Sequence, residues 1–430
     1  MPFSAADRRF SSSGTPAAAG NRERENTLNG EATGQQPQPF QIMAKPRGPV
    51  CNLDCAYCYY LSKERLYSDS DFRMSDELLA EYTRQYLESQ AGLPEVTFAW
   101  QGGEPLLMGL DFFRRALELQ REYAPAGVRV VNALQTNGTL LDAEWCRFFA
   151  EHDFLIGISI DGPRELHDEY RRDRAGQGSF DRVMAGLAWL QEYGVEHNAL
   201  TCVHAANAPH PLEVYSFLRD EAEVEFVQFI PIVERENETG YQEGETITDR
   251  SVTGKQYGEF LIAVFDDWVR RDVGRIFVQI FDVALAAFFG RRPGLCVFEE
   301  TCGTALVLEH SGDLYSCDHF VEPAHHLGNI ADTPLADMAR SERQRSFGAA
   351  KRDALPPTCR ECAVYFVCHG GCPKNRVLTT PEGEPGLNWL CEGYRAFFTH
   401  IEPAMRFMAG ELRAGRPPAN IMYQLPGANF

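Results

Sequence analysis

The chain has 430 residues, a hydrophobic content of 44% and a net charge of −20 at neutral pH. This length allows two or three domains with a large core. The negative charge argues against non-specific nucleic-acid binding, which depends on a basic surface, and is compatible with a basic peptide partner. No apolar run reaches about 18 residues, so no segment is expected to span a membrane.

The N-terminal segment, residues 1–38, is rich in small, polar and charged residues and lacks apolar periodicity, so we expect it to be disordered. Arg8 and Arg9 could begin a twin-arginine export signal, but residues 11–20 supply no apolar stretch. Thirteen cysteines in a chain without a secretion signal predict metal ligands before disulfides. The expected location is therefore the cytoplasm.

Three cysteines follow the first predicted strand, residues 40–44. Cys51, Cys55 and Cys58 have the spacing C-x3-C-x2-C. Three thiolates on one loop can bind three irons of a [4Fe–4S] cube and leave the fourth iron open to a chelating small molecule. The alternatives are a zinc knuckle or three buried thiols. Structural zinc usually takes four ligands in paired spacings, so the cluster is favoured.

Strand and helix patterns alternate from about Phe40 to Val233. The predicted strands are 40–44, 95–100, 128–134, 154–162, 197–203 and 225–233, and the predicted helices are 75–87, 110–123, 142–151, 179–193 and 211–220. Polar or glycine residues follow the strands at their C-terminal ends. About six such units predict an open, partial α/β barrel with its chemistry at that edge.

The second half of the sequence begins with a bridging segment, residues 241–295, in which two helices are predicted at 257–269 and 276–289. Eight cysteines follow, and the block 359–372 has the spacing C-x2-C-x5-C-x3-C. Eight thiolates suffice for two complete [4Fe–4S] clusters. The two cysteines left over, Cys146 and Cys202, lie in a predicted helix and strand and are expected to be buried apolar residues.

These motifs together resemble the radical S-adenosylmethionine (SAM) enzymes that carry a SPASM domain, and among them the anaerobic sulfatase-maturating enzymes. The segments that carry the resemblance are 51–58, 100–105, 134–139, 159–163, 312–318 and 369–372. The match covers residues 40–400. It implies a partial (β/α)6 radical SAM barrel at 39–240, a SPASM domain with two auxiliary clusters at 296–395, and a C-terminal helix and tail at 396–430.

The resemblance implies two kinds of cofactor, three [4Fe–4S] clusters and SAM. The implied SAM contacts are Tyr57, Gly102, Gly103, Glu104, Ser159, Arg171 and Val233. The three loop cysteines would hold the radical cluster. The auxiliary clusters would take Cys296, Cys302, Cys317 and Cys372, and Cys359, Cys362, Cys368 and Cys391. Spacing alone does not establish this partition.

Several of these residues have alternative roles that involve no cofactor. Ser159, Asp161 and Arg171 could serve as loop caps and a surface ion pair. The histidines could in principle replace sulfur ligands, but every cluster is already filled by sulfur; they are His310, His319, His325, His326 and His369.

The activity implied by the resemblance is oxidation of one Cys or Ser of a sulfatase to formylglycine. A 5′-deoxyadenosyl radical would remove a Cβ hydrogen, and Asp318 occupies the family's proton-acceptor position. The alternative for Asp318 is an Asx-turn or a hydrogen bond to a cluster. The expected partners are an unfolded or nascent sulfatase and a reductant such as flavodoxin or ferredoxin, with no nucleic acid and no membrane. The protein is expected to act as a monomer.

Two other functions compete with this interpretation. The runner-up is another SPASM peptide maturase, forming thioether or carbon–carbon bonds on a ribosomal peptide; a leader-binding domain would favour it, and none is expected before Phe40. The third is an electron-transfer protein that never cleaves SAM. The Gly102-Gly103-Glu104 and Ser159 elements argue against that third possibility.

The cysteine count predicts the iron content. Anaerobically reconstituted protein should carry about twelve irons, and replacement of Cys51, Cys55 and Cys58 by Ala should leave about eight. Metal analysis together with a SAM-cleavage assay checks this. Zinc as the dominant metal, or a triple variant with full iron and full SAM cleavage, would contradict the assignment.

Overall fold

The computed structural model describes residues 39–68 and 70–424, so the predicted disordered segment 1–38 lies outside the described residues. Ten strands form one sheet and two form a hairpin. They are β1 (Gln41–Lys45), β2 (Glu95–Trp100), β3 (Arg129–Thr136), β4 (Leu155–Ser159), β5 (His197–Val203), β6 (Phe226–Pro231), β7 (Phe277–Val278), β8 (Ala305–Glu309), β9 (Asp313–Tyr315), β10 (His326–Asn329), β11 (Arg376–Thr379) and β12 (Pro385–Asn388). The order in the large sheet is β10-β9-β8-β1-β2-β3-β4-β5-β6-β7.

The α-helices are numbered in the same way. They are α1 (Asp76–Ser89), α2 (Leu110–Tyr123), α3 (Ala143–Glu151), α4 (Arg164–Tyr170), α5 (Phe180–Glu192), α6 (Pro211–Ser216), α7 (Gly254–Arg271), α8 (Gln279–Phe289), α9 (Leu335–Ala339), α10 (Glu342–Asp353), α11 (Pro357–Arg360), α12 (Tyr365–Cys368), α13 (Cys391–Arg413) and α14 (Ile421–Gln424). No helix in the described part of the chain is long and apolar enough to cross a membrane.

The six central strands, β1 to β6, are parallel neighbours in sequence order, which confirms the predicted α/β class. In β2 every second residue is buried, and aromatic rings from β2 and the helices beside it fill the core. Phe98 contacts Tyr82 of α1, while Trp100 contacts Phe113 of α2. Because all six strands are parallel, their C-terminal ends meet at one edge, where the predicted site residues lie.

Several elements differ from the sequence-based expectation: the strand predicted at 154–162 ends at Ser159 and the helix predicted at 211–220 ends at Ser216. Two further differences concern whole elements. Residues 164–170 form the unpredicted short helix α4. The helix predicted at 276–289 begins only at Gln279, because Phe277 and Val278 pair with β6 as the edge strand β7. The backbone N–H of Phe277 donates to the carbonyl of Glu225 at 2.7 Å, which extends that pairing.

The second half of the chain joins the same sheet. Strand β8 pairs in parallel with β1 over five residues, with Glu309 opposite Lys45. Strand β9 then pairs antiparallel with β8, and β10 pairs antiparallel with β9. The sheet therefore crosses the predicted boundaries at 240 and 295, and the domain division itself stays a prediction. This pairing brings residues 317–320 to the C-terminal end of β1.

Helices α7 and α13 cross at glycines. A Cβ on Gly393 would lie 1.9 Å from the Gly254 carbonyl oxygen and 2.8 Å from the Gly258 nitrogen. Both neighbours are backbone atoms of α7, so neither can rotate away. Helix α13 begins at Cys391, so this close crossing also positions a predicted cluster ligand.

We therefore expect Gly393→Ala to destabilise the fold by about 1–3 kcal/mol, the usual result of overpacking. Gly410→Ala, in the exposed part of the same helix, is the matched control. Its Cβ would meet nothing within 4 Å, so it should be neutral or stabilise by about 0.5–1 kcal/mol. Anaerobic denaturation curves compare the two variants; equal stabilities would contradict the packing argument.

Candidate active site

The cysteine loop, residues 49–58, is held by the backbone beyond β2. The N–H of Gly103 donates to the Gly48 carbonyl at 2.8 Å, and the N–H of Glu104 donates to the Val50 carbonyl at 3.0 Å. A Cβ on Gly103 would lie 2.2 Å from the Val50 oxygen. Glycine is thus required here for the approach of the cysteine loop itself, whatever it also does for SAM.

Glu104 also helps to hold the cysteine loop in place. Its fully buried carboxylate accepts hydrogen bonds from the Thr136 hydroxyl at 2.9 Å and from the N–H groups of Leu106 and Asn137 at 3.0 and 2.8 Å. Burial raises the pKa of Glu104 to about 7, although these donors oppose the increase. The Asn137 amide then donates to Cys51 Sγ at 3.6 Å. Glu104 therefore links the ends of β2 and β3 to the first cysteine.

Asp161, at the end of β4, organises a buried polar cluster beneath the loop. Its carboxylate accepts from Arg171 Nε at 2.8 Å, from the N–H of Cys202 at 2.9 Å, and from the Tyr57 hydroxyl. Burial alone would raise the pKa of Asp161, but the Arg171 guanidinium holds it below its usual value. Tyr57 and Arg171, two predicted SAM contacts, are thus joined through Asp161, which is buried and not on the surface.

Cys146 and Cys202 have different environments. Cys146 is fully buried in α3, as expected. Cys202 is only half-buried near the end of β5, and its Sγ lies 3.8 Å from Arg171 Nη2. The predicted strand position is confirmed and burial raises the pKa of the thiol, but its surroundings are polar and not apolar, because the strand end carries it into the cluster around Asp161.

The three loop cysteines lie close together. Burial raises the pKa of Cys51 to about 11 and that of Cys55 to about 12, and the neighbouring Cys58 thiol adds to both increases. Burial also raises the pKa of Cys58. Iron needs thiolates, so binding at this loop must release protons. Three clustered thiols on one loop fit a [4Fe–4S] cluster with an open iron.

Two further predicted SAM residues lie along the same edge. Ser159 ends β4, and its hydroxyl accepts from Gln135 Nε2 at 3.0 Å. A small cavity beside it is lined by Met43, Gln101 and Gln135, among others. Val233 is buried beyond β6, and its carbonyl accepts from Lys374 Nζ at 3.3 Å. The structure thus places these residues at the predicted edge.

Asp318 lies where the cysteine loop meets the second half of the chain. Its Oδ1 is 2.6 Å from Lys45 Nζ, and its Oδ2 accepts from the Tyr59 hydroxyl. Lys45 also donates to Gln101 at 2.8 Å. Although burial would raise the pKa of Asp318, Lys45 lowers it to about 2, so the carboxylate is ionised at neutral pH. Its side chain remains 17% exposed, against 1% for Lys45.

The eight later cysteines fall into two groups. The thiols of Cys296, Cys302, Cys317 and Cys372 interact electrostatically with one another, and so do those of Cys359, Cys362, Cys368 and Cys391. A cavity of about 650 Å³ is lined by all four members of the second group. Within residues 39–68 and 70–424, no three Cys, His, Asp or Glu side chains converge on a position for a single metal ion. The grouping fits the partition that the resemblance implies.

Four of the five predicted histidine alternatives have other partners, and the ring of His319 contacts that of Tyr59. His310 Nε2 lies 2.7 Å from the Ser70 hydroxyl, His326 Nε2 lies 3.1 Å from Asp313, and His369 Nδ1 bonds the Phe298 carbonyl at 2.7 Å. The ring of His325 makes an edge contact with the ring of Phe320. These contacts indicate structural roles.

Sequence reasoning missed several residues of the site, above all Lys45, Tyr59, Gln101 and Gln135. A signal existed for Lys45, since a charged residue ending a buried strand usually faces a partner. Tyr59 stands next to Cys58 but carried no spacing signal. Their common partner Asp318 is 259 positions from Tyr59 in the chain, so only the fold reveals the contact.

Comparison with known proteins agrees with this geometry. Residues 46–218 match the model of the Radical SAM superfamily, and residues 296–363 match that of the SPASM iron–sulfur cluster-binding domain. A serine-type anaerobic sulfatase-maturating enzyme of Bacteroides thetaiotaomicron is 48% identical over 400 residues, covering 90% of this chain and 95% of the relative. The cysteine-type enzyme of Clostridium perfringens is 32% identical over 383 residues, covering 87% and 100%.

A solved structure shows the same fold. Native anSMEcpe with bound AdoMet and Kp18Cys peptide matches with a TM-score of 0.78 at 31% identity, covering 87% of this chain and all of that chain. The partial barrel and the SPASM region are therefore confirmed, and iron–sulfur clusters and SAM are the cofactors of this class. On this sequence identity and coverage, the chain belongs to the anaerobic sulfatase-maturating enzymes, a family of radical SAM proteins.

Proposed function

We propose that this chain oxidises a serine of a sulfatase polypeptide to formylglycine, with Asp318 as the proton acceptor. The observation that carries the proposal is the position of Asp318. It is ionised, partly exposed, and held between Lys45 of β1 and Tyr59, the residue that follows the cysteine loop. A general base must lie beside the reacting group, and this carboxylate lies between the two cofactor-binding regions.

The cysteines that group together would hold the clusters. Cys51, Cys55 and Cys58 would bind the radical cluster, and the two groups of four would bind the auxiliary clusters. When bound, these groups and SAM would supply the radical that removes a hydrogen atom and would accept the second electron. The proximity of the thiols within each group and the cavity of about 650 Å³ support this fit.

Several residues would shape the SAM pocket. Gly102, Gly103 and Glu104 would offer backbone to SAM, with Ser159 and Val233 farther along the strand ends. Tyr57 and Arg171 would act as the wall of the pocket, because their polar atoms already bond Asp161.

Oxidation of serine to the aldehyde removes two electrons and two protons. One hydrogen atom leaves from Cβ, and its loss makes the hydroxyl far more acidic. Asp318 would then take the hydroxyl proton, although its pKa of about 2 makes it a weak base towards an intact alcohol. The remaining electron leaves as the C=O bond forms. A cysteine would follow the same course to a thioaldehyde, which water hydrolyses with loss of sulfide.

Serine is the proposed target because the serine-type relative is 48% identical and the cysteine-type relative is 32% identical. The proposed setting is the cytoplasm, because eleven thiolate ligands need reducing conditions. The partners would be an unfolded or nascent sulfatase and an electron donor such as flavodoxin or ferredoxin. The chain would act as a monomer.

The Asp318→Asn variant tests the role of the carboxylate. It keeps the size of the side chain but removes the ability to take a proton. We expect the reduced variant to cleave SAM to 5′-deoxyadenosine yet lose about 10²–10⁴-fold in formylglycine formation on a serine peptide. Mass spectrometry of the peptide and chromatography of the nucleoside give both rates.

The control is Asp337→Asn, the same change on the exposed face of α9, which should keep the parental rates. A parallel cysteine peptide measures target preference in the parent protein; serine turnover far below cysteine turnover would contradict the serine assignment. If Asp318→Asn oxidises peptide at the parental rate with full iron, the carboxylate is structural.

A further inference from the structure

One short segment belongs to both groups of later cysteines. Cys368 is in the second group, Cys372 is in the first, and only His369-Gly370-Gly371 separates them. All three intervening residues are left-handed, with φ of 46°, 72° and 61°. A Cβ on Gly370 would lie 2.2 Å from Leu355 Cδ2. The segment His369-Gly370-Gly371, called the bridge below, therefore has a fixed shape. One ligand of each cysteine group lies at each of its two ends.

Arg376 holds the bridge. Its Nε and Nη2 donate to the carbonyls of Gly370 and Gly371 at 3.4 and 3.5 Å, while Nη1 donates to the Lys351 carbonyl at 2.7 Å. Asn388 donates to the Gly370 and Cys372 carbonyls at 3.1 and 3.2 Å. The guanidinium is thus fixed under the segment that links the two groups.

The charge of Arg376 faces thiols of both groups. It interacts with Cys302 and Cys372 of the first and with Cys359 and Cys368 of the second. No carboxylate in the described part of the chain forms an ion pair with it, and its side chain is half-buried. The charge is therefore only partly screened by water and is not neutralised by a carboxylate.

The other cations described near these cysteines each interact with the thiols of one group only. The buried Lys351 interacts with first-group thiols, and its Nζ donates to the carbonyls of Cys296 and Val297 at 2.7 and 2.9 Å. Arg395 interacts with Cys391 and is exposed.

We propose that Arg376 raises the reduction potentials of both auxiliary clusters together, and so favours uptake of the electron that substrate oxidation releases. A fixed positive charge stabilises the reduced, more negative state of a cluster, and net charge and hydrogen bonding set cluster potentials. This inference rests on the proposed function, because it takes the two cysteine groups to be cluster ligands. Arg376 acts here as a positioning residue that touches no substrate.

Arg376→Gln removes the charge and keeps a side chain that can hydrogen-bond. Potentiometric titration followed by electron paramagnetic resonance would be done on protein whose radical-cluster cysteines, Cys51, Cys55 and Cys58, are replaced by Ala, so that only the auxiliary clusters contribute. We expect both midpoint potentials to fall, with the equilibrium for one-electron uptake changing by about tenfold, or about 59 mV. Arg376→Lys keeps the charge, so both midpoint potentials should return most of the way to their parental values.

Arg395→Gln is the matched control, since it removes a cation that is exposed and faces one group. This change should leave the midpoint potential of the first cluster unchanged and should shift that of the second cluster only slightly. Unchanged potentials in Arg376→Gln at full iron, a shift in one cluster only, or equal potentials for Gln and Lys would each overturn the inference. Loss of iron from Arg376→Gln would overturn it as well, because Arg376 would then only hold the ligand loop. Parent protein without auxiliary iron would instead refute the proposed function itself.

Discussion

The parallel pairing of β1 with β8 is the interaction on which the site depends. It sets Lys45 opposite Glu309 at the C-terminal ends of both strands. The cysteine loop leaves β1 at this point, and the chain after β8 returns through β9 to Cys317 and Asp318. Two segments more than 250 positions apart in sequence are thereby brought to hydrogen-bond distance. Without this pairing the barrel would keep its cysteine loop, but Asp318 would not lie beside it.

Two buried ion pairs connect different elements at this edge of the sheet. Asp161, which follows β4, is bound to Arg171, and Lys45 of β1 is bound to Asp318. Removing one partner of such a pair leaves an uncompensated charge, which is far more costly than losing a surface ion pair. These pairs therefore restrict how the strand ends can be arranged. They keep polar side chains in fixed positions at an edge that must also admit a cofactor and a peptide.

Local features of the fold followed from the sequence, because periodicity and capping act over a few residues. The segments 95–100 and 110–123 have the bounds that their patterns predict, and Ser75 accepts from the N–H of Leu78 as a helix cap. At Ser179 the predicted helix start is right. There, however, Asp168 accepts from the first N–H groups, while the Ser179 hydroxyl donates to the Arg171 carbonyl.

Only part of the site could be predicted from the sequence, because sequence patterns report on neighbouring residues. Cysteine spacing is local, so the ligand candidates could be listed from sequence. The partners of Asp318 come from strand pairing over long separations, which no local pattern encodes. The role of Gly103 was only partly visible, because its constraint comes from the Val50 carbonyl on another segment.

The interleaved order of the later cysteines has a consequence for how the protein is made. On the proposed partition, the group that begins at Cys296 is completed only by Cys372, and the group that begins at Cys359 only by Cys391. Cys391 opens α13, which is seated against α7 through Gly393 and Gly254. A ribosome must therefore release the chain as far as Cys372 before the first auxiliary site has its four ligands, and as far as Cys391 before the second. The radical-cluster loop, whose three cysteines lie within eight residues, is complete before even the first auxiliary ligand, Cys296, has been made.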